Sequence, residues 1–125
     1  MKSQKTSLFV VICMLCCVSV FAAETETYPG PQEGAPNIYK QVFDNDRVRV
    51  SEIKFNPGEK AAMHTHPYPH VVYIIEGGEL TLSHPDGTSA VMKANAGDAL
   101  WMGVEAHEAV NTGTTVVRGT VTEIK

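Results

Sequence analysis

Gly58-Glu-Lys-Ala-Ala-Met63-His64-Thr65-His66-Pro67-Tyr68-Pro69-His70-Val71-Val-Tyr73-Ile-Ile-Glu76-Gly77 is the stretch from which the fold can be read. His64 and His66 are two residues apart, so in an extended chain both imidazoles leave the same face of a sheet. Pro67 and Pro69 cannot donate ladder hydrogen bonds, which makes the segment between them a loop or strand edge and lets His70 return beside the first pair. The chain then resumes as a strand in which His70, Val72 and Ile74 share one parity and Val71, Tyr73 and Ile75 the other. Both faces are apolar, so this strand is expected to be covered on both sides. A fourth histidine, His107, stands far along the chain in Gly97-Asp-Ala-Leu-Trp101-Met102-Gly103-Val-Glu105-Ala-His107-Glu108-Ala-Val-Asn111.

Working outward, short β-branched and aromatic runs alternate with Gly, Pro, Asn and Asp from Ile38 onward. The runs are Ile38–Phe43, Val48–Phe55, His70–Glu76, Glu79–Ser83, Ser89–Lys93, Asp98–Met102, His107–Asn111 and Thr115–Ile124, and none has helical periodicity over three turns. Asp44-Asn45-Asp46, Gly77-Gly78 and Asp86-Gly87 separate successive runs as expected of hairpin turns, where Gly supplies positive φ. Asn95-Ala-Gly97-Asp98 turns the chain into the sixth run. About eight short strands in one unit predict an all-β sandwich or barrel.

The amino terminus is different. Lys2 and Lys5 precede an uncharged apolar stretch that ends at Ala22-Ala23, the pattern of a secretory signal peptide over residues 1–23, cleaved after Ala22 or Ala23. The stretch is shorter than the ~20 residues of a spanning helix, so no integral membrane span is expected after its removal, and the mature chain would be periplasmic or extracellular. Cys13, Cys16 and Cys17 all lie in this segment, leaving no disulfide, thiolate ligand or cysteine nucleophile. Residues 24–36 are acidic and rich in Pro and Gly and read as a flexible leader; residues 37–125 form the domain. Eight basic against fourteen acidic residues remain, a net charge of −6, which argues against a nucleic-acid partner.

Three histidines within seven residues, with a fourth downstream, read as a metal site. Neutral imidazole is a common metal ligand, and burying several without a metal leaves polar nitrogens unpaired. A barrel whose histidines bind no metal is the competing reading. His84, in Ser83-His84-Pro85-Asp86-Gly87, is assigned to an exposed turn. Trp101, Tyr73 and Met102 are candidates for a pocket wall or for core. Glu105, Glu108 and Asn111 flank His107 as candidate bases or acceptors, with Glu105 read as a solvated loop carboxylate.

The two histidine segments resemble the two motifs of the cupin superfamily. Gly58, His64, His66 and Gly77 match the first at its spacing, with His70 where that family usually has glutamate. Gly97, His107 and Asn111 match the second, with Gly103 in its proline position, Glu105 in its glycine position and one residue fewer before His107. The resemblance is strongest with small single-domain bacterial cupins, some associated with β-alanine degradation, whose first motif similarly reads His-X-His-Pro-X-X-His-Val-Val-Tyr. It implies a cupin-type antiparallel β-barrel, the double-stranded β-helix or jelly roll. It also implies a divalent transition metal on His64, His66 and His107, with His70 as fourth ligand or lining the cavity.

Imidazole in place of carboxylate leaves the metal its full 2+ charge, which favours small anionic ligands. If His70 coordinates, tetrahedral Zn suits four nitrogens; if it lines the cavity, three histidines leave open positions for Fe(II), Ni, Cu or Mn. Two functions follow: a metal-dependent enzyme, such as a dioxygenase or hydrolase, on a small organic acid or dicarbonyl compound, or a non-catalytic metal- or ligand-binding cupin of the cell envelope. A homodimer is a further expectation of the resemblance.

Overall fold

The computed structural model describes residues 26–125. The expected signal peptide lies outside the described residues. Nine strands follow a single helical turn, α1 (Pro31–Gly34): β1 (Tyr39–Asp44), β2 (Val48–Phe55), β3 (Lys60–His66), β4 (His70–Glu76), β5 (Gly78–Ser83), β6 (Ser89–Ala94), β7 (Ala99–Met102), β8 (Glu105–Asn111) and β9 (Val117–Ile124). They form two antiparallel sheets that face each other, one ordered β1-β2-β9-β4-β7 and the other β3-β8-β5-β6. No helix among the described residues is long and apolar enough to cross a membrane.

The turns act in two ways. Asp44-Asn45-Asp46 closes the β1–β2 hairpin, with Asn45 Oδ1 accepting from the amides of Arg47 and Val48. Asp86-Gly87 closes the β5–β6 hairpin, with Gly87 at φ +84°. Gly77-Gly78, expected as a hairpin, instead carries the chain from β4 in one sheet to β5 in the other. A Cβ on Gly77 would stand 2.5 Å from the Ala94 carbonyl, so the crossing needs glycine for close approach rather than for turn geometry.

The strand β3 is absent from the eight runs read in the sequence. Its Ala61-Ala62-Met63 has little strand propensity of its own, and pairing with β8 makes it a strand. That pairing contains a bulge: Ala61 faces Ala109 and His64 faces His107, so one extra residue sits on β3. The bulge resets the parity, and Ala61, His64 and His66 all end up buried.

The core between the sheets is built from Ile53, Phe55, Val72, Ile74, Leu80, Ala109, Val117 and Val121. β4 is covered on one face only: Val72 and Ile74 are buried, but Tyr73 and Ile75 are 47% and 44% exposed. Among the described residues no element lies over the outer face of the five-stranded sheet, whose register aligns Phe43, Val50, Thr122, Val71 and Trp101 in one row.

Of the segment read as a flexible leader, the structure describes residues 26–36, and its second half contacts the barrel. Pro29 accepts the Thr65 amide at 2.8 Å, α1 packs on β3, and Pro31 and Ala35 are buried. Its composition is poor in apolar surface, yet two small residues are enough when the barrel end supplies the partner.

Candidate metal centre

Local chain geometry brings three histidines together. β3 presents His64 and His66 inward, and the β3–β8 register sets His107 opposite His64, with ring centroids 4.7 Å apart. His64 and His66 centroids are 5.0 Å apart, and His66 and His107 5.2 Å. One ring nitrogen from each of His64, His66 and His107 falls within 4.8 Å of the others, and all three residues are buried.

His70, on β4 of the opposite sheet, is buried too and stacks on His66 at 4.2 Å. Three nitrogens converge, and His70 stands beside them against the face of one imidazole.

The outer nitrogen of each ring is tied down. His64 Nδ1 lies 2.7 Å from the Ala62 carbonyl in the bulge, and His70 Nδ1 3.2 Å from the Tyr68 carbonyl. His66 Nδ1 lies 3.3 Å from Glu123 Oε1, and His107 Nδ1 3.1 Å from Glu105 Oε1. Carbonyls and carboxylates only accept, so every Nδ1 carries a hydrogen, and in the neutral ring the lone pair is then on Nε2. The Nε2 atoms of His64 and His66 then face each other 3.2 Å apart, two acceptors with no hydrogen between them. The Tyr39 hydroxyl, 3.1 Å from the first and 3.4 Å from the second, can satisfy one. Convergent imidazole lone pairs, each backed by an acceptor on its far nitrogen, are the donor set of a transition-metal site, and the residues fit such an ion.

Burial and local charge shift the groups. Burial, with the neighbouring histidines adding to it, pushes His64 down to about 4 against the Ala62 carbonyl, which favours its charged form. Burial likewise lowers His70. Both are held in the neutral form that ligates. Burial and the charges of Glu123 and Glu105 push the Tyr39 phenol up. The hydrogen bond to His107 holds the Glu105 carboxyl below its usual range. Burial raises Glu123, but its hydrogen bond and charge interaction with His66, joined by Arg49, outweigh this and leave it lowered.

Several residues stand elsewhere than the sequence suggested. Glu105 is the first residue of β8, and its carboxylate orients His107 instead of being solvated in a loop. His84 is half-buried rather than exposed, its Nδ1 3.1 Å from the Ala106 carbonyl and its ring 6.3 Å from that of His107. Trp101, 66% exposed, and Tyr73 point away from the site, whereas Met102 lines it. Glu108 pairs with Lys60. Asn111 pins the loop beyond β8, donating to the carbonyls of Phe55 and Thr115 and accepting from the Gly113 amide.

Tyr39 and Glu123 were missed, because nothing near them in sequence marks them. Glu123 in a strand with buried alternate positions was the one available signal, a charge at a core-facing parity.

The cavity beside the histidines is narrow, about 30 Å³, lined by Tyr39, His66, His70, His107 and apolar side chains that include Met92 and Met102. That is enough for an ion with a water or a small group on it.

No family model matches the chain, and no curated protein matches it. Solved structures do. A cupin domain from Bordetella pertussis Tohama I is 29% identical, with a TM-score of 0.65 over 80% of this chain and 98% of that one. An uncharacterized conserved protein with a double-stranded β-helix domain from Klebsiella pneumoniae is 25% identical, with a TM-score of 0.58 over 78% of this chain and 83% of that one. A cupin family protein from Methanocaldococcus jannaschii, at 18% identity and a TM-score of 0.57 over 70% of this chain and 78% of that one, shares the fold. The architecture is the cupin-type double-stranded β-helix, and these neighbours support the cupin superfamily.

Proposed function

We propose that this chain is an exported metal-binding cupin that holds a divalent transition-metal ion on His64, His66 and His107 and binds a small, anionic organic ligand at it. The observation that carries the reading is the pair of Nε2 lone pairs opposed at 3.2 Å with His107 completing the set, every Nδ1 being engaged behind them. A cation relieves that opposition. Bound there, the metal supplies Lewis acidity toward an anionic or carbonyl oxygen.

The chain's own residues orient and enclose. The Ala62 carbonyl, Glu123 and Glu105 fix the tautomers; His70 adds a neutral Nε2 to the cavity; Met92, Met102 and Leu82 exclude water around the ligand's apolar part. The narrow volume limits that ligand to few atoms. Export is supported by the residue pattern of 1–23, and self-association by the outer-face row in which Phe43 and Trp101 are exposed and Val71 half-buried.

A non-catalytic role has one observation in its favour. Both carboxylates beside the centre are already bonded to a histidine Nδ1, so neither is free to move a substrate proton. An enzyme on a small organic acid would draw its base from the metal's own water.

Metal analysis of untagged mature protein tests the reading. One equivalent of a first-row divalent ion in a histidine-nitrogen environment by X-ray absorption is expected. Protein that stays metal-free after incubation with Zn, Fe(II), Ni, Cu and Mn would overturn it. An exchangeable metal-bound water would then favour the enzyme, and a closed set of protein ligands the binder.

A further inference from the structure

Tyr39 brings a phenol oxygen into the ring of imidazole nitrogens from β1, in the sheet opposite His64 and His66. The side chain is buried, and its ring packs edge-on to His64 at 5.1 Å and tilted to His66 at 5.7 Å. Its oxygen stands 3.1 Å from His64 Nε2 and 3.4 Å from His66 Nε2, and those nitrogens are 3.2 Å apart. The three atoms form a nearly equilateral triangle of donors, all directed to the inside of the barrel.

Such a triangle has a plain meaning. A first-row ion bound at ~2.0–2.1 Å holds adjacent ligand atoms roughly 2.8–3.4 Å apart, the short end for octahedral geometry and the long end for tetrahedral. A phenol used only as a hydrogen-bond donor needs one acceptor at its shortest distance; this one faces two at comparable distances and has one hydrogen. His70 does not fill the same place: its ring lies flat against that of His66, outside the group of three converging nitrogens. The other carboxylate oxygens near the site, on Glu105 and Glu123, are turned to the Nδ1 side of the rings.

We propose that Tyr39 is a ligand of the same metal ion, completing a three-histidine, one-tyrosinate centre, while His70 lines the cavity. The assignment rests on the metal reading given above. On binding, the Tyr39 O–H bond breaks heterolytically, the oxygen keeps the electron pair and donates it to the metal, and the proton leaves to solvent. The metal's charge favours the phenolate in a site where burial alone disfavours it. The consequence is an anionic donor from the first strand, one that lowers the net charge of the centre from 2+ to 1+ and raises its preference for the harder, more oxidised ions.

Cu(II) is the probe, because it binds nitrogen and oxygen sites tightly and a phenolate on it gives a visible charge-transfer band. The mature protein, Tyr39→Phe and Tyr73→Phe are each titrated with Cu(II) while absorbance and released protons are recorded. The wild type and Tyr73→Phe should develop the band at one equivalent, and Tyr39→Phe should bind one equivalent without it and release one proton fewer. Should Tyr39→Phe fail to fold, resonance Raman of the wild type grown with ring-deuterated tyrosine decides: shifted phenolate ring modes support the assignment and unshifted modes overturn it. Stoichiometric Cu(II) without a phenolate band, or an unchanged band in Tyr39→Phe, overturns the tyrosinate and leaves the histidine site standing. No stoichiometric Cu(II) on the wild type overturns both.

Discussion

His66 and Glu123 meet inside the barrel, Nδ1 to Oε1 at 3.3 Å, with both side chains at most 2% exposed and Arg49 Nη1 closing on the other carboxylate oxygen at 3.2 Å. β9 supplies the acid and β3 the imidazole, from opposite sheets. The contact sets the tautomer of one proposed ligand and ties it to a charge that Arg49 balances.

Glu123→Gln keeps an acceptor for Nδ1 but removes the charge. Loss of an outer carboxylate of this kind lowers metal affinity by roughly 10–100-fold. Competition against a chromophoric chelator measures it, and wild-type affinity in the variant would mean that the contact only packs.

Ligand histidines and bystanders should separate cleanly. His66→Ala and His107→Ala are expected to lose the equivalent of metal, because each removes one of the converging nitrogens. His70→Ala and His84→Ala should retain it. Metal content by elemental analysis of all four variants gives the comparison, and equal occupancy throughout would eliminate the site.

Acid should destabilise the metal-free protein early. His64 titrates near 6.5 when unfolded and about 4 in the barrel, so the unfolded chain binds the extra proton first as pH falls. The stability that neutral His64 carries is complete above about pH 6.5 and is lost down to about pH 4, a change on the order of 3 kcal/mol for a shift of this size. His70 acts in the same direction. Glu105 and Glu123, lowered in the fold, lose their contributions below their ordinary range. Urea melts in chelator between pH 7 and 4 should show the decline starting near 6.5; a flat profile to pH 5 would contradict it.

Gly119 pairs with Ile74 where the β4–β9 register shifts, and a Cβ there would stand 2.4 Å from the Tyr73 carbonyl oxygen. Backbone cannot yield as a side chain can. Gly119→Ala should destabilise by roughly 1–3 kcal/mol in chemical denaturation, the usual cost of overpacking, with the metal stoichiometry of the surviving fold unchanged.

Trp101 dominates the uncovered outer face. If that row carries self-association, Trp101→Glu shifts sedimentation toward monomer without a change in metal content. A wild type that sediments as monomer at high concentration would remove the dimer from consideration.

Read in the sequence, the alternation from Val48 to Ile124 and the Gly, Asn and Asp turns already specify short antiparallel strands, since side-chain parity and turn φ are properties of a few adjacent residues. The His-X-His spacing likewise put His64 and His66 together, because two residues on one strand share a face whatever the strand pairs with; that His70 and His107 join them was implied only by the resemblance to cupins. Tertiary structure alone decided the rest. The bulge at Ala62-Met63 depends on the register with β8, and Tyr39 and Glu123 reach the histidines from strands far apart in the chain. Whether Tyr73 and Trp101 are core or surface depends on whether a layer covers their sheet, and none does among the described residues. Local sequence governs which way a side chain points along its own strand; only non-local pairing determines what stands opposite it.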